Sequence, residues 1–330
     1  MDSASIPALS IAIIENGRIL WNDGWGMANK ENNHQANANT IFQGASLGKP
    51  IFAYAVLKLC DEGKLDLDKP LTHYAPGDYI QKHFLRSNIQ VENFKNITAR
   101  MVLSHSSGLP NWRTEEGIKL LFNPGEKYSY SGEGYYYLQI IIEHLTSLSI
   151  EEWMQKTVFR PLTMNHTSYL NNKKDRLAYS VSYDASGKAD STFESVRANV
   201  AHSLRTTATD YALFLIALMD SKGLKKKSFD SFFSGQIKTD ICRNESIFWA
   251  LGTAVQQSEK GNVFFQWGKN PFASAYVIGF NEQKSAVVYF TNVANQGLRI
   301  GEKLIALTLK YKDPLFGCFG VQQYDAGKHQ

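Results

Sequence analysis

The chain has 330 residues, 43% of them hydrophobic, and its 35 Lys and Arg against 31 Asp and Glu leave a formal charge of only +4. That length and apolar content suffice to bury the core of one large domain. The balanced charge, with Lys225 to Lys227 as the densest basic run, argues against a nucleic-acid surface, and no 18-residue apolar run indicates a membrane-spanning helix.

In chain order, Leu9–Ile14 and Gly17–Trp21 read as two strands joined by an Asn16, Gly17 hairpin signal. Met1, Asp2 and Ser3 lead almost directly into the first strand, the expectation for a chain trimmed of an export segment and an N-terminal helix. A helix is predicted from Pro50 toward Gly63, with Ile51, Phe52, Ala55, Val56 and Leu59 recurring near the 3.6-residue period. Pro50 suits only its first turn, and Gly63 is a stop. Residues from about 70 to 200 read as helix and loop, with helices at Glu133–Thr146 and Ser149–Val158. A helix at Asp210–Asp220 follows, then strands at Phe248–Gln256, Asn262–Gln266, Ser274–Phe280 and Ala286–Asn292, and a last helix at Leu298–Lys310. Strands at both chain ends predict one antiparallel sheet flanked by helices, an α+β fold with an inserted helical region. The expected organisation is a single domain over 1–330, its α/β part at about 1–70 and 205–330 and its mostly helical part at about 71–204.

Ser46 and Lys49 stand three residues apart at the head of the first predicted helix, which puts both on one face. The positive end of the helix dipole would lie where an acyl-transfer oxyanion develops. A serine needs a base to become a nucleophile, and a partly desolvated lysine has a lowered pKa. Alone, Ser-x-x-Lys is equally an N-capping serine followed by a surface lysine. The blocks around it resemble the serine β-lactamase-like superfamily, in its class C β-lactamase, penicillin-binding protein and esterase branch. These blocks are Phe42–Pro50, Gly63–Pro70, Ile97–Pro110, Pro124–Tyr136 and Ser203–Asp210. The resemblance implies the β-lactamase/transpeptidase-like fold, no cofactor, and a periplasmic or secreted enzyme acting on a small or peptide-like acyl substrate.

It also implies site residues. Tyr130, in Tyr130, Ser131, Gly132, matches the tyrosine that relays protons among nucleophile, lysine and leaving group. Sequence leaves open whether Lys49 or Tyr130 is the principal base, since their titrations would be coupled. Gly132 departs from the family's asparagine, so water or a neighbour such as Ser131 or Glu133 must replace that amide, or recognition differs. Glu133 itself reads as a helix-start residue. Gln266, Trp267 and Gly268 match the family's Lys/His-x-Gly strand, Gly268 admitting close approach of substrate to the backbone. The resemblance implies an oxyanion hole from the N–H groups of Ser46 and Lys269. Gln266 replaces a basic residue and weakens the grip on a substrate carboxylate. The Lys269 side chain points to the face opposite Gly268. Trp267 is either a wall of the acyl pocket or core.

His105 reads as structural within its block, and His202 as a local hydrogen-bonding residue. Cys60, Cys242 and Cys318 form neither a disulfide framework nor a zinc motif, and the histidines show no His-x-x-x-His pair, so no metal is expected. The expectation is a serine hydrolase working through an acyl-enzyme. The two departures favour an esterase or D-peptidase over an efficient β-lactamase. The alternative is a catalytically weak or inactive sensor of the penicillin-binding type. The sequence leaves the natural substrate and oligomeric state open.

Overall fold

A computed structural model describes residues 6–85, 91–171, 178–184, 186–190, 197–241, 246–258 and 261–311. Cys242, Cys318 and half of the segment 171–196 lie outside the described residues.

The strands are β1 (Ala8–Glu15), β2 (Arg18–Asn29), β3 (His34–Gln35), β4 (Phe42–Ala45), β5 (Leu204–Thr206), β6 (Ile237–Lys238), β7 (Ile247–Trp249), β8 (Ala254–Ser258), β9 (Gly261–Asn270), β10 (Ala273–Phe280) and β11 (Ser285–Thr291). The helices are α1 (Gly48–Asp61), α2 (Gly77–Ile80), α3 (Ala99–Leu103), α4 (Gly132–Thr146), α5 (Ile150–Met154), α6 (Ala208–Met219), α7 (Lys226–Phe233), α8 (Asn295–Arg299) and α9 (Gly301–Thr308). A nine-stranded sheet runs β3-β2-β1-β11-β10-β9-β8-β7-β6, and β4 pairs with β5 in a separate ribbon. The paired strands in both are antiparallel. Joining β1 to β11 makes the two chain ends one sheet, the arrangement expected from strands at both ends. Among the described residues, no strand of this sheet comes from the helical stretch between β4 and β5.

Alternation assigns the two faces of the sheet. Ala12, Val277, Val288 and Phe264 pack into the core that contains α1 and α6, whereas Ile11, Tyr276, Tyr289 and Phe265 join Leu298 and Ile305 of α8 and α9. Helix α1 is buried on every side from Gly48 to Leu57, not only along the predicted stripe. It runs through the junction of sheet and helical region, and a helix buried all round needs no polar face.

Several predicted bounds change. The strand expected over Phe248–Gln256 is two strands, because Ala250 to Thr253 form a turn closed by the Ala250 N–H to the Thr253 carbonyl at 2.8 Å. Strand β2 continues to Asn29, well past the predicted Trp21, and β9 continues to Asn270, past the predicted Gln266. The last predicted helix divides at Ile300. Helix α5 is capped by Ser149 with Glu152 reaching back, and loosens into a π-turn over Gln155–Phe159.

Candidate active site

The backbone bends sharply ahead of Ser46. A register shift separates Gln43 from Ala45 in the β4–β5 ribbon, and Ala45 has φ of +46°, a region L-residues adopt sparingly. This bulge turns the chain from β4 into α1. The Tyr211 hydroxyl donates to the Leu47 carbonyl at 3.1 Å and the Tyr169 hydroxyl to the Gly48 carbonyl at 2.8 Å, fixing the first turn.

Lys49 Nζ donates to Ser46 Oγ at 3.0 Å and to the Ala201 carbonyl at 2.6 Å. The i, i+3 spacing thus closes as the sequence predicts. Lys49 is fully buried, and burial pulls its pKa from 10.5 down to about 7. Among the described residues no carboxylate answers the ammonium: its neighbours are Ser46, the Ala201 carbonyl and the ring faces of Tyr130 and Tyr135, at 4.9 and 5.6 Å.

Tyr130 is also buried, and burial pushes its hydroxyl up to about 12 despite hydrogen bonds with Ser46 and Gln266. Gln266 Nε2 donates to the Tyr130 hydroxyl at 3.1 Å. Gln266 Oε1 is buried and, among the described residues, accepts no hydrogen bond. The phenol is held between rings: Trp267 stacks on it at 5.7 Å and 25°, and His105 packs on it at 4.2 Å. Trp249 closes edge-on to both Tyr130 and Trp267.

On β9, Gln266 and Gly268 face α1, and Trp267 faces the other side with Tyr276 and Tyr289. Trp267 is therefore a support for Tyr130, not a wall beside Ser46. Lys269 lies on the same side as Trp267, as alternation predicts. It is half-buried, which lowers its amine to about 8. Gly268 does admit a close approach, but the approaching backbone is β4. A Cβ there would collide with the Gly44 carbonyl and crowd Leu47 and Ala45.

Gly132 opens α4, whose N-cap is Ser131; its hydroxyl accepts the Gly134 N–H at 2.8 Å. The face of Gly132 is covered. A Cβ would stand 2.9 Å from the Trp112 ring and 2.8 Å from the Asn111 carbonyl. Trp112, 48% exposed, in turn meets His202 edge-on at 5.4 Å. Neither Ser131 nor Glu133 takes over the missing amide. Ser131 is committed to its cap and to the Pro110 carbonyl, and Glu133 forks onto Arg113 at 2.6 and 3.0 Å.

His105 stays outside the chemistry. Its Nδ1 accepts the Ser131 N–H at 2.9 Å, and burial with the Lys49 charge holds the ring neutral, well below its ordinary value. The position of His202 follows from its neighbour, because the Ala201 carbonyl faces Lys49. Burial and the Lys49 charge lower the His202 ring to about 4.

The beta-lactamase family model matches residues 1–310. The chain belongs to that family. It is 25% identical to Penicillin-binding protein 4* of Bacillus subtilis over 321 residues, covering 86% of this chain and 67% of that protein. It is 28% identical to Protein flp of Staphylococcus aureus over 205 residues, 57% of this chain and 40% of that longer protein. The fold matches a D-alanine carboxypeptidase AmpC from Burkholderia cenocepacia with a TM-score of 0.75 at 17% identity, over 89% of this chain and 90% of the other. It matches a class C beta-lactamase with a TM-score of 0.78 at 20% identity, over 93% and 92%. At these identities the structures establish the β-lactamase/transpeptidase-like fold. The family and its neighbours are serine hydrolases.

Sequence reasoning missed the Ala201 carbonyl and the Trp112 cover. The first is a backbone group in a loop, without a side-chain signature. The second had one signal, a large aromatic residue two positions after Pro110.

Among the described residues, no cluster of His, Cys, Asp and Glu is arranged to hold a metal, and no helix is long and apolar enough to cross a membrane.

Proposed function

We propose that this chain is a serine hydrolase that works through an acyl-enzyme on ester, D-amino-acid amide or β-lactam carbonyls, with ester or D-peptide turnover ahead of efficient β-lactam hydrolysis. The observation that carries this reading is the buried Lys49 amine, lowered to about 7 and 3.0 Å from Ser46 Oγ. Such an amine is neutral in a large fraction of molecules at neutral pH and accepts a proton. Ser46 Oγ attacks the carbonyl carbon while Lys49 takes its proton. The Ser46 and Lys269 N–H groups receive the oxyanion. The tetrahedral adduct breaks its bond to the leaving group, which takes a proton from the Tyr130 hydroxyl, and the Lys49 ammonium reprotonates Tyr130. Water then attacks the acyl carbon as Lys49 takes its proton; the second tetrahedral adduct breaks its bond to Ser46 Oγ, which takes that proton back from Lys49, and the carboxylic acid leaves.

The preference for esters or D-peptides rests on Gln266 and Gly132. Gln266 brings no positive charge to a substrate carboxylate, and Gly132 brings no amide. The names Penicillin-binding protein 4* and D-alanine carboxypeptidase favour peptide-like substrates. We place the enzyme's action in the periplasm or outside the cell, in line with the family resemblance.

The test is intact and peptide mass after exposure to a fluorophosphonate, with short-chain nitrophenyl ester hydrolysis alongside. The expected result is one adduct on Ser46, at least 100-fold slower in Lys49→Ala, and ester turnover lost in Ser46→Ala. No adduct on folded wild type, or equal turnover in Ser46→Ala, overturns the reading. A sensor would give a stable adduct and no turnover.

A further inference from the structure

A cavity of about 750 Å³ runs along the flank of α4, with Trp112, Glu133 and His202 at one end and Glu143, Ser149 and Glu151 at the other. The first end adjoins the catalytic group, because Trp112 covers Gly132 and His202 follows the residue whose carbonyl holds Lys49. From Gly132 to Glu143 the helix rises about 16 Å, the span of roughly four to five extended residues. A short acyl group leaves most of that length empty.

The cavity is also tied mechanically to Lys49. Gln139 in its wall is almost wholly buried; its Nε2 donates to the Ala198 carbonyl at 3.0 Å and its Oε1 accepts the Val200 N–H at 3.1 Å. Asn199, also in the wall, accepts the Ala201 N–H at 2.9 Å through Oδ1. The loop that aims the Ala201 carbonyl at Lys49 is therefore one side of the cavity.

Charge chooses what the far end takes. Glu133 is already answered by Arg113. Glu143 takes the Ile150 N–H at 2.9 Å and a Gln139 amide contact, and Glu151 takes the Tyr169 N–H at 2.7 Å and the Gln155 amide at 2.9 Å. Among the described residues, the hydrogen-bond donors to both carboxylates are neutral. The basic groups of the lining are Arg113, which is paired with Glu133, His202 at the catalytic end, His83, and Arg197, which is exposed. A mostly buried carboxylate with neutral partners is stabilised by an added cation.

We infer that this cavity is the acyl-side subsite of the cleft, and that it takes an extended peptide-like chain whose far end is a free amine. The inference rests on the serine-hydrolase reading and names its substrate class. Such a chain enters past Trp112 and lies along α4. It carries its ammonium to Glu143 and Glu151, and it steadies the Ala198–Ala201 loop as it binds. Occupancy therefore raises kcat as well as lowering KM.

The test compares three nitrophenyl esters at pH 7, where an α-amine is mostly charged: acetate, a tetraglycine acyl chain with a free amine, and the same chain N-acetylated. The expected kcat/KM is at least ten-fold higher for the free amine than for its acetylated twin. In Glu143→Gln, which keeps an oxygen for the Ile150 N–H, that ratio falls toward one. Leu170 also lines the cavity; Leu170→Trp narrows it, lowers the ratio of long chain to acetate and decides the matter if Glu143→Gln does not fold. Equal rates for free and acetylated chains in wild type, or an unchanged ratio in the folded variants, overturn the subsite. Acetate turnover that is intact and lost in Ser46→Ala shows that the subsite alone has failed. Acetate turnover that survives Ser46→Ala sinks the hydrolase reading.

Discussion

The Trp112 ring occupies the space into which any side chain at Gly132 would project, 2.9 Å from an ideal Cβ. Gly132 is thus coupled to an aromatic residue in a different loop. Gly132→Asn, which restores the family's residue, must displace both Trp112 and the Asn111 carbonyl. We expect it to destabilise the fold by about 1–3 kcal/mol, the range for overpacking. Trp112→Ala combined with Gly132→Asn should lose less than the sum of the single variants, because the ring is one of the two obstacles. Thermal unfolding of the three variants checks this. A Gly132→Asn protein as stable as wild type contradicts it.

The Lys49 pKa sets a pH dependence. With Lys49 as the base, kcat/KM on a neutral ester rises with pH as the amine deprotonates through about 7, then levels off. The same shift acts on stability. Between about 7 and 10.5 the unfolded chain binds the proton that the folded protein releases, so stability rises with pH across that window. Below about pH 7 the buried ammonium carries its full desolvation penalty. Lys49→Met should abolish turnover yet unfold at a higher temperature at pH 6, with the advantage shrinking toward pH 10. A Met variant less stable than wild type at pH 6 shows that the amine's bonds to Ser46 and Ala201 outweigh the penalty.

Tyr130, raised to about 12, stays protonated at working pH and is a donor rather than a base. Tyr130→Phe should therefore keep the midpoint near 7 while lowering kcat by about 10²–10⁴ on amides and alkyl esters. The loss should be much smaller on nitrophenyl esters, whose leaving group departs without a proton. If Tyr130 were the base, the wild-type rate would go on climbing toward pH 12, and all leaving groups would suffer alike.

The pairing of Ser46 with Lys49 was legible because a helix fixes i and i+3 on one face whatever surrounds it. The orientation of Lys269 was legible for the same kind of reason, since strand alternation is local. The role of Trp267 was not. Alternation gives its face, but what lies on that face, the Tyr130 ring, arrives from a segment more than a hundred residues away. The Ala201 carbonyl has no residue-specific signal at all. The split between the predicted Phe248 and Gln256 went unread because Ala250 and Leu251 continue an apolar pattern through a turn that a backbone hydrogen bond closes. Gly268 was read as the point where substrate comes close to the strand backbone, whereas the backbone that comes close there is that of β4, a long-range neighbour with no local signal.

Gln266 is the last point at which charge can be moved with one substitution. It donates to the Tyr130 hydroxyl, lies on the face of β9 toward α1, and is fully buried. Gln266→Lys places an ammonium beside Tyr130 and near Lys49. A neighbouring cation favours phenolate and disfavours a second ammonium, so both pKa values should fall. The ascending limb of the pH profile should then move to lower pH. The cation also offers a partner to a substrate carboxylate. The ratio of kcat/KM for a peptide ending in a carboxylate to that for the same peptide ending in a carboxamide should rise about ten-fold or more, the worth of one charge-assisted hydrogen bond. Steady-state rates on that substrate pair, from pH 5 to 9, read both effects together. A limb that stays near 7 with an unchanged ratio would mean that the introduced amine is itself neutralised by burial, as Lys49 is, and that Gln266 positions Tyr130 without selecting substrates.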